Sequence, residues 1–345
     1  MYKTVKRTVA GSAVITVLAL PYLGIKTYYL HIAILSLINA LLALGLNVIA
    51  GYTGQLSLAQ AAFFGIGSYT TALLMLQQKI SFWLAAPLGI ACATLIAILI
   101  GIPTLRLKGP YFVISTLGFG EIVRLILLNW ESVTRGPNGL PGIPAPDPIS
   151  LGFTVLAFDT KVAAYYLNLT VLLLVLVVYS NTINSRVGRA LRAIRNDQIA
   201  AEVMGINLTF YKVLAFAGGA ALSGLAGALY AGYIRFISPD TFTLGEAINI
   251  LVMMVLGGMG TIIGPILGSV IITYLLETMR ILADYRLIIY GLLMFIIILY
   301  LPSGFAGLLT ATGEKIGKFF VASEKPAPVC RGSAKEISEP VESEV

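Results

Sequence analysis

The chain has 345 residues, of which 58% are apolar and only 11% charged, with a mean hydropathy of +0.90. A soluble fold needs about 25% charged residues to cover its exterior, so lipid is the solvent for most of this chain. The net charge of +7 does not point to nucleic acid, because the basic side chains are scattered at the ends of apolar runs rather than gathered on one domain.

A spanning helix needs about 20 mostly apolar residues. Candidate stretches lie at about 8–25, 28–50, 58–76, 82–102, 110–128, 162–180, 212–234, 246–257, 262–278 and 285–301. The expected fold is therefore an all-α polytopic membrane protein with about ten transmembrane segments and a broken or re-entrant helix. Lys3, Lys6 and Arg7 precede the first stretch, and no small-x-small cleavage site follows it, so it reads as a retained span. The pair 246–257 and 262–278 is short and split at Gly257-Gly-Met-Gly260. It forms either two short spans or a re-entrant hairpin.

Basic residues set the orientation. With both termini, residues 103–109 and residues 181–212 in the cytoplasm, 15 Lys and Arg lie inside and seven outside, and Arg124 falls within a span. Residues 130–161 are then an external loop, too rich in Pro and Gly for a long helix. Residues 1–310 read as one membrane domain, and 311–345 as a polar cytoplasmic tail with a disordered composition. Cys92 and Cys330, one in an apolar run and one in the tail, do not make a disulfide framework.

Two segments stand out as carrying function. Along 45–69, Gly51 and Gly54 weaken the helix, and Thr53, Gln55, Ser57 and Gln60 bring uncharged polar groups. Broken backbone at membrane depth is tolerated where it lines a wet cavity or is buried in protein. The segment is thus either a solute path, with Asn47, Gly51, Gly54, Gln55, Ser57 and Gln60 as candidates, or a short turn with Ser57 capping the next helix. Asn39, Ala43 and Asn47 share one helix face, which reads as interhelical hydrogen bonding.

The second segment is the polar stretch 186–207. Arg186, Arg189, Arg192 and Arg195 are spaced three apart on a helix-capable sequence. It serves either as a topology anchor or as a surface for a soluble partner. Beyond it, Gly219, Ser223 and Gly227 continue a ridge from Ala215 to Ala231, and Gly260, Gly264 and Gly268 make another. Small residues every fourth position let helix backbones approach closely.

Covalent chemistry is not expected. Glu121 and Arg124 sit at i, i+3 and read as a structural pair, and His31 reads as interfacial. No set of mid-membrane carboxylates marks an ion-coupled carrier, and one His with two distant Cys builds no zinc site or triad. A P-loop does not fit around Gly317-Lys318, because Thr312 and Phe319 occupy the places of the first Gly and the Ser/Thr. Energy for active transport would come from another chain.

The chain resembles the membrane-spanning permease subunits of branched-chain amino-acid ABC importers, of the leucine/isoleucine/valine type, over roughly residues 30–310. The similarity lies at Gly45-Leu-Asn, Gly51-Tyr-Thr-Gly-Gln-Leu-Ser-Leu58, Phe64-Gly-Ile-Gly-Ser-Tyr69 and Gly136-Pro-Asn-Gly-Leu-Pro-Gly-Ile-Pro144. It continues at Arg189-Ala-Leu-Arg-Ala-Ile-Arg195, Ala200-Ala-Glu-Val-Met-Gly-Ile-Asn207, Gly224-Leu-Ala-Gly-Ala-Leu-Tyr230 and Gly257-Gly-Met-Gly-Thr-Ile-Ile-Gly-Pro265.

The resemblance implies that 181–212 is the coupling loop on which a cytoplasmic ATPase docks, with Arg189, Arg192, Ala200, Ala201, Glu202 and Gly205 as candidates. In the wider class pattern, Glu-Ala-Ala, three residues, then Gly, Ile199 takes the Glu place and Glu202 follows the alanines. Gln60 stands where relatives often have His, and Arg135 where they often have Gly. The implied partners are a second, similar permease, two cytoplasmic ATPases that bind the ATP, and an external solute-binding protein. The implied place is a bacterial or archaeal cytoplasmic membrane. Other cargo (urea, amides, other amino acids) and an ion-coupled carrier are the alternatives.

Overall fold

The computed structural model describes residues 26–279 apart from 108, 151–154 and 157, with isolated positions at 21, 291 and 305. The expected spans 8–25 and 285–301 and the tail 311–345 lie outside the described residues. Described are α1 (Thr27–Leu46, continuing as a π-helical turn Asn47–Gly51), α2 (Gln60–Gln77), α3 (Phe82–Thr104), α4 (Pro110–Asn129) and α5 (Lys161–Asn184). After these come α6 (Arg186–Asn196), α7 (Gln198–Val203), α8 (Leu208–Ile234), α9 (Leu244–Gly257) and α10 (Gly264–Thr278). Six described helical stretches are long and apolar enough to cross a membrane, namely Thr27–Gly51, Phe82–Thr104, Pro110–Asn129, Lys161–Asn184, Leu208–Ile234 and Pro239–Gly257. The protein is an all-α, multi-pass membrane protein.

α8 is the spine. Its ridge Ala215, Gly219, Ser223, Gly227 and Ala231 is buried throughout. A Cβ placed on Gly45 of α1 would stand 2.8 Å from the Gly219 carbonyl oxygen, and one on Gly224 would stand 3.2 Å from the Ile90 Cα of α3. Ser68 of α2 adds a hydrogen bond to the Gly227 carbonyl at 3.0 Å. Small residues here let backbone meet backbone, which holds helices together in lipid, where burying apolar surface supplies little drive. The outer faces of α3, α4 and α5 carry exposed Leu95, Ile114 and Val178, at 61%, 65% and 66%. Such faces suit acyl chains.

The pair α9–α10 is an antiparallel hairpin. Gly258 (φ +122°) and Gly260 (φ +78°) turn it, and α10 packs along α1, where the Asn39 amide donates to the Thr273 hydroxyl at 2.9 Å. Fourteen and 15 residues give about 21–23 Å each at 1.5 Å per residue.

At the opposite end from the α9–α10 turn, loops are pinned by hydrogen bonds. β1 (Leu140–Pro141) pairs antiparallel with β4 (Phe236–Ile237), and β2 (Ile149–Ser150) with β3 (Val155–Leu156). Asp147 accepts from the Ser81 hydroxyl at 2.6 Å and the Phe82 N–H at 2.9 Å, tying the loop to the start of α3. Those two donors hold its carboxyl below the usual range. Arg135 takes the left-handed conformation (φ 60°, ψ 13°), a backbone state that glycine enters without strain.

Candidate functional site

Local sequence dictates the break after α1. The π-helical turn Asn47–Gly51 widens the helix, as such turns do at functional positions, and Gly54 at φ +74° stops it. The next five residues are non-helical. Leu58 donates its N–H to the Thr116 hydroxyl at 3.1 Å, about 9 Å along α4 from its start. The stretch between α1 and α2 is thereby tied to α4. Ser57 accepts from the Ala59 N–H at 3.3 Å, one residue ahead of Gln60.

Of the path candidates, Asn47, Gly51, Ser57 and Gln60 are buried, Gln55 is half-buried and Gly54 is exposed. The Gln60 Oε1 accepts from the Ser223 hydroxyl, while its Nε2 and the Oε1 of Gln55 are buried with no hydrogen-bond partner. Two unsatisfied amide groups thus flank the non-helical stretch. Asn47 is occupied differently. Its Nδ2 donates to Tyr179 at 2.8 Å and to the Thr261 carbonyl at 2.7 Å, and its Oδ1 accepts from the Gly260 N–H at 2.8 Å. One amide joins α1, α5 and the α9–α10 turn.

The polar stretch after α5 is two helices, where the arginine spacing alone suggests one. Ser185 caps α6 through the Val187 N–H. Asp197, extended at φ −156°, accepts from the N–H groups of Ile199 and Ala200 at 2.8 and 3.1 Å and so starts α7. Asp offers those donors a better partner than continued helix does. Gly205 at φ +82° ends α7, with the Ile206 N–H reaching back to the Ala201 carbonyl at 3.0 Å. Nothing lies within 4 Å of where its Cβ would be, so backbone conformation, not crowding within this chain, asks for glycine there.

Arg189 and Arg192 turn back on the end of α5, donating to the Asn184 and Ile183 carbonyls at 3.4 and 3.2 Å. Arg195 does more: its Nη1 donates to the Gly51 carbonyl, with its aliphatic stem against Gly54. The arginine helix and the glycine-broken segment are thus in contact, although they lie more than 130 residues apart in sequence. Ala201 is buried, and Ala200 and Glu202 are exposed. The outer surface of α7 and the turn after it is apolar, with Ile199, Val203 and Met204 exposed at 77%, 82% and 81%. These three and Arg195 escape a reading by motif. The signal for the apolar trio was present in their helical spacing, but spacing does not tell a buried face from a docking face. The packing residues divide between two contacts: Gly219, Ser223 and Gly227 lie on α8 against α1 and α2, and Gly264 and Gly268 lie against the backbone of α9, with Gly260 in the turn.

Comparison with known proteins agrees with this architecture. The family model described as branched-chain amino acid transport system / permease component matches residues 28–298. The high-affinity branched-chain amino acid transport system permease protein LivM of Escherichia coli is 38% identical over 291 residues, covering 79% of this chain and 68% of the relative. The permease protein LivH of the same organism is 28% identical over 288 residues, 78% of this chain and 91% of the relative. The autoinducer 2 import system permease protein LsrC of Salmonella paratyphi B is 30% identical over 226 residues, 60% and 61% of the two chains. No solved structure matches. With most of its length covered by the family model and an identity of 38% to LivM, the chain belongs to the branched-chain amino acid transport permease family.

Proposed function

We propose that this chain is one of two permease subunits of an ATP-driven importer that carries branched-chain amino acids across the cytoplasmic membrane by alternating access. The observation that carries the reading is the Arg195–Gly51 contact. It joins the arginine-rich surface segment to the place where, among the described residues, a span is broken beside unsatisfied polar groups.

In this mechanism an external binding protein delivers solute to a cavity between the two permeases. Two cytoplasmic ATPases, which bind and hydrolyse the ATP, seat on 181–212 against Ile199, Val203 and Met204. Gly205 permits the turn there, and Arg189, Arg192 and Glu202 fix its register. Closure of the ATPases shifts α6. Arg195 passes the shift to Gly51, and Asn47 shares it with α5 and the α9–α10 turn, biasing the bundle between two arrangements. Solute leaves past Gln55, Ser57 and Gln60. Residues 1–310 form the membrane domain, and both termini with the tail 311–345 are cytoplasmic. A second reading keeps the architecture with other cargo (urea, amides or other amino acids), and the likeness to an autoinducer 2 permease favours testing it.

The complete importer in liposomes is expected to take up labelled leucine only with ATP and the binding protein. Valine and isoleucine should compete, and urea and acetamide should not. Uptake that persists without the ATPases would point to an ion-coupled carrier. Orientation is tested in a background lacking Cys92 and Cys330. Of single cysteines at the exposed positions Asn138 and Asn196, an impermeant thiol reagent outside should modify only the first. Labelling of the second from outside would reverse the topology.

A further inference from the structure

Halfway along α4, Glu121 and Arg124 form a bidentate ion pair. The Arg124 Nη2 donates to Oε1 at 2.6 Å, and its Nε lies 3.0 and 3.1 Å from the two carboxylate oxygens. At 1.5 Å per residue, the two side chains leave the helix roughly 17 and 21 Å from its start, within the ~30 Å hydrocarbon layer. Both remain partly open, the glutamate at 42% and the arginine at 23%. Charges open to lipid are costly, and intramembrane ionisable groups face protein or a water-filled space. An i, i+3 pair joins one turn of α4 to the next, and among the described residues neither side chain makes a hydrogen bond to another element, so helix packing there gives no reason for two charges at this depth.

Beside the pair is a cavity of about 180 Å³. Glu121 stands at its edge, and its walls include Leu58, Ala61, Leu117, Gly120, Phe242 and Leu244. The volume equals about six waters at about 30 Å³ each, well below the ~300 Å³ at which pockets for drug-sized ligands begin. A small molecule with one short apolar branch fits such a space. Leu58 belongs to the non-helical stretch that follows Gly54, so the cavity is walled in part by the proposed path segment. Asp240, in the turn before α9, lies within electrostatic range of Arg124.

We infer that Glu121 and Arg124 dock the zwitterionic head of an α-amino acid, ammonium to carboxylate and carboxylate to guanidinium, while the cavity between α2, α4 and the start of α9 receives its aliphatic side chain. The site rests on the importer reading above, and it supplies that reading with a place where side-chain size is tested inside the membrane. An open ion pair suits this task, because the incoming zwitterion replaces each partner with one of the same sign.

The decisive variant exchanges the two residues, Glu121→Arg with Arg124→Glu. It keeps an opposite pair at i, i+3 but reverses its direction. In the complete importer in liposomes, leucine uptake is expected to fall at least tenfold with the permease still present in the membrane. A merely structural pair would leave it within about twofold. Should the exchange fail to insert, Glu121→Gln keeps the size and a hydrogen bond to Arg124. It is expected to raise the KM for leucine at least fivefold with turnover little changed, and an unchanged KM would overturn the docking role. Gly120→Leu fills the cavity from an open position, since an added Cβ meets only the Leu58 carbonyl oxygen, at 3.6 Å. It should raise the KM for leucine at least tenfold and that for alanine less than threefold. Equal changes for both would overturn the side-chain pocket. Absence of leucine uptake by the unsubstituted importer would overturn the transport reading and the site with it. Uptake that survives the exchange would overturn the site alone.

Discussion

Replacing Asn47 with leucine is expected to lower the thermal unfolding midpoint of the purified permease by several degrees and to deplete it from the membrane. Leucine has nearly the same shape, so little packing is lost. Hydrogen bonding is lost instead. Tyr179 retains Tyr52 as a partner, but the Gly260 N–H and the Thr261 carbonyl lose theirs; Asn47 itself is fully buried, while both of these bonds are part-buried. A fully buried orphaned group costs about 1–3 kcal/mol; with both groups here only part-buried, water offsets some of that, and the pair costs about 1–3 kcal/mol in all against a typical total of about 5–15 kcal/mol. Asn47→Asp, which keeps the acceptor for Gly260, should fall between. A midpoint for the leucine variant within 2 °C of the parent would mean that the α9–α10 turn is held by other contacts.

Arg195→Met is expected to separate ATP hydrolysis from transport. Methionine preserves much of the stem that packs on Gly54, and the exposed Ile199, Val203 and Met204, the proposed ATPase seat, are untouched. What disappears is the charged donor on the Gly51 carbonyl. Hydrogen bonds to charged groups contribute about 1.5–3 kcal/mol, which corresponds to roughly tenfold to a hundredfold in a two-state equilibrium. Leucine uptake per ATP hydrolysed should therefore fall at least tenfold, with the ATPases still co-purifying. Arg195→Lys should recover part of the loss, since an ammonium supplies the charge but not the planar fork. An unchanged ratio in the methionine variant would remove Arg195 from the coupling route.

The helices themselves were legible because lipid imposes a length and an apolar composition on each span. The stretch expected at 82–102 is Phe82–Thr104, and the weak pair near 246–278 is a hairpin turned by the glycines that split it. The four-residue ridge on α8 was visible for the same reason: one face of one helix is written in consecutive sequence.

Long-range junctions were not visible in this way. Asn47 reads as one polar residue on an apolar face, and its partners come from Tyr179, Gly260 and Thr261, which no local pattern connects to it. Arg195 looks like the last of four equivalent arginines until the fold sets Gly51 beside it. Asp197 changed the polar segment after α5 from one helix to two because a side-chain acceptor outcompeted the next helical turn, a contest between near-equal terms that composition does not decide.

The glycine and serine seam of α8 also bears on how this protein is able to move. Where two helices meet through long side chains, rotamers yield and the helices slide. Where backbone rests on backbone, as Gly45 does on Gly219 and Gly224 on Ile90, there is no compressible layer between them, and interiors packed this tightly transmit displacement rather than absorb it. Helices α1, α2, α3 and α8 therefore travel as one chassis. α4, with 22% of its span buried within this chain, is mounted on that chassis from outside, so of the helices around it α4 has the fewest contacts of this kind to hold it in place.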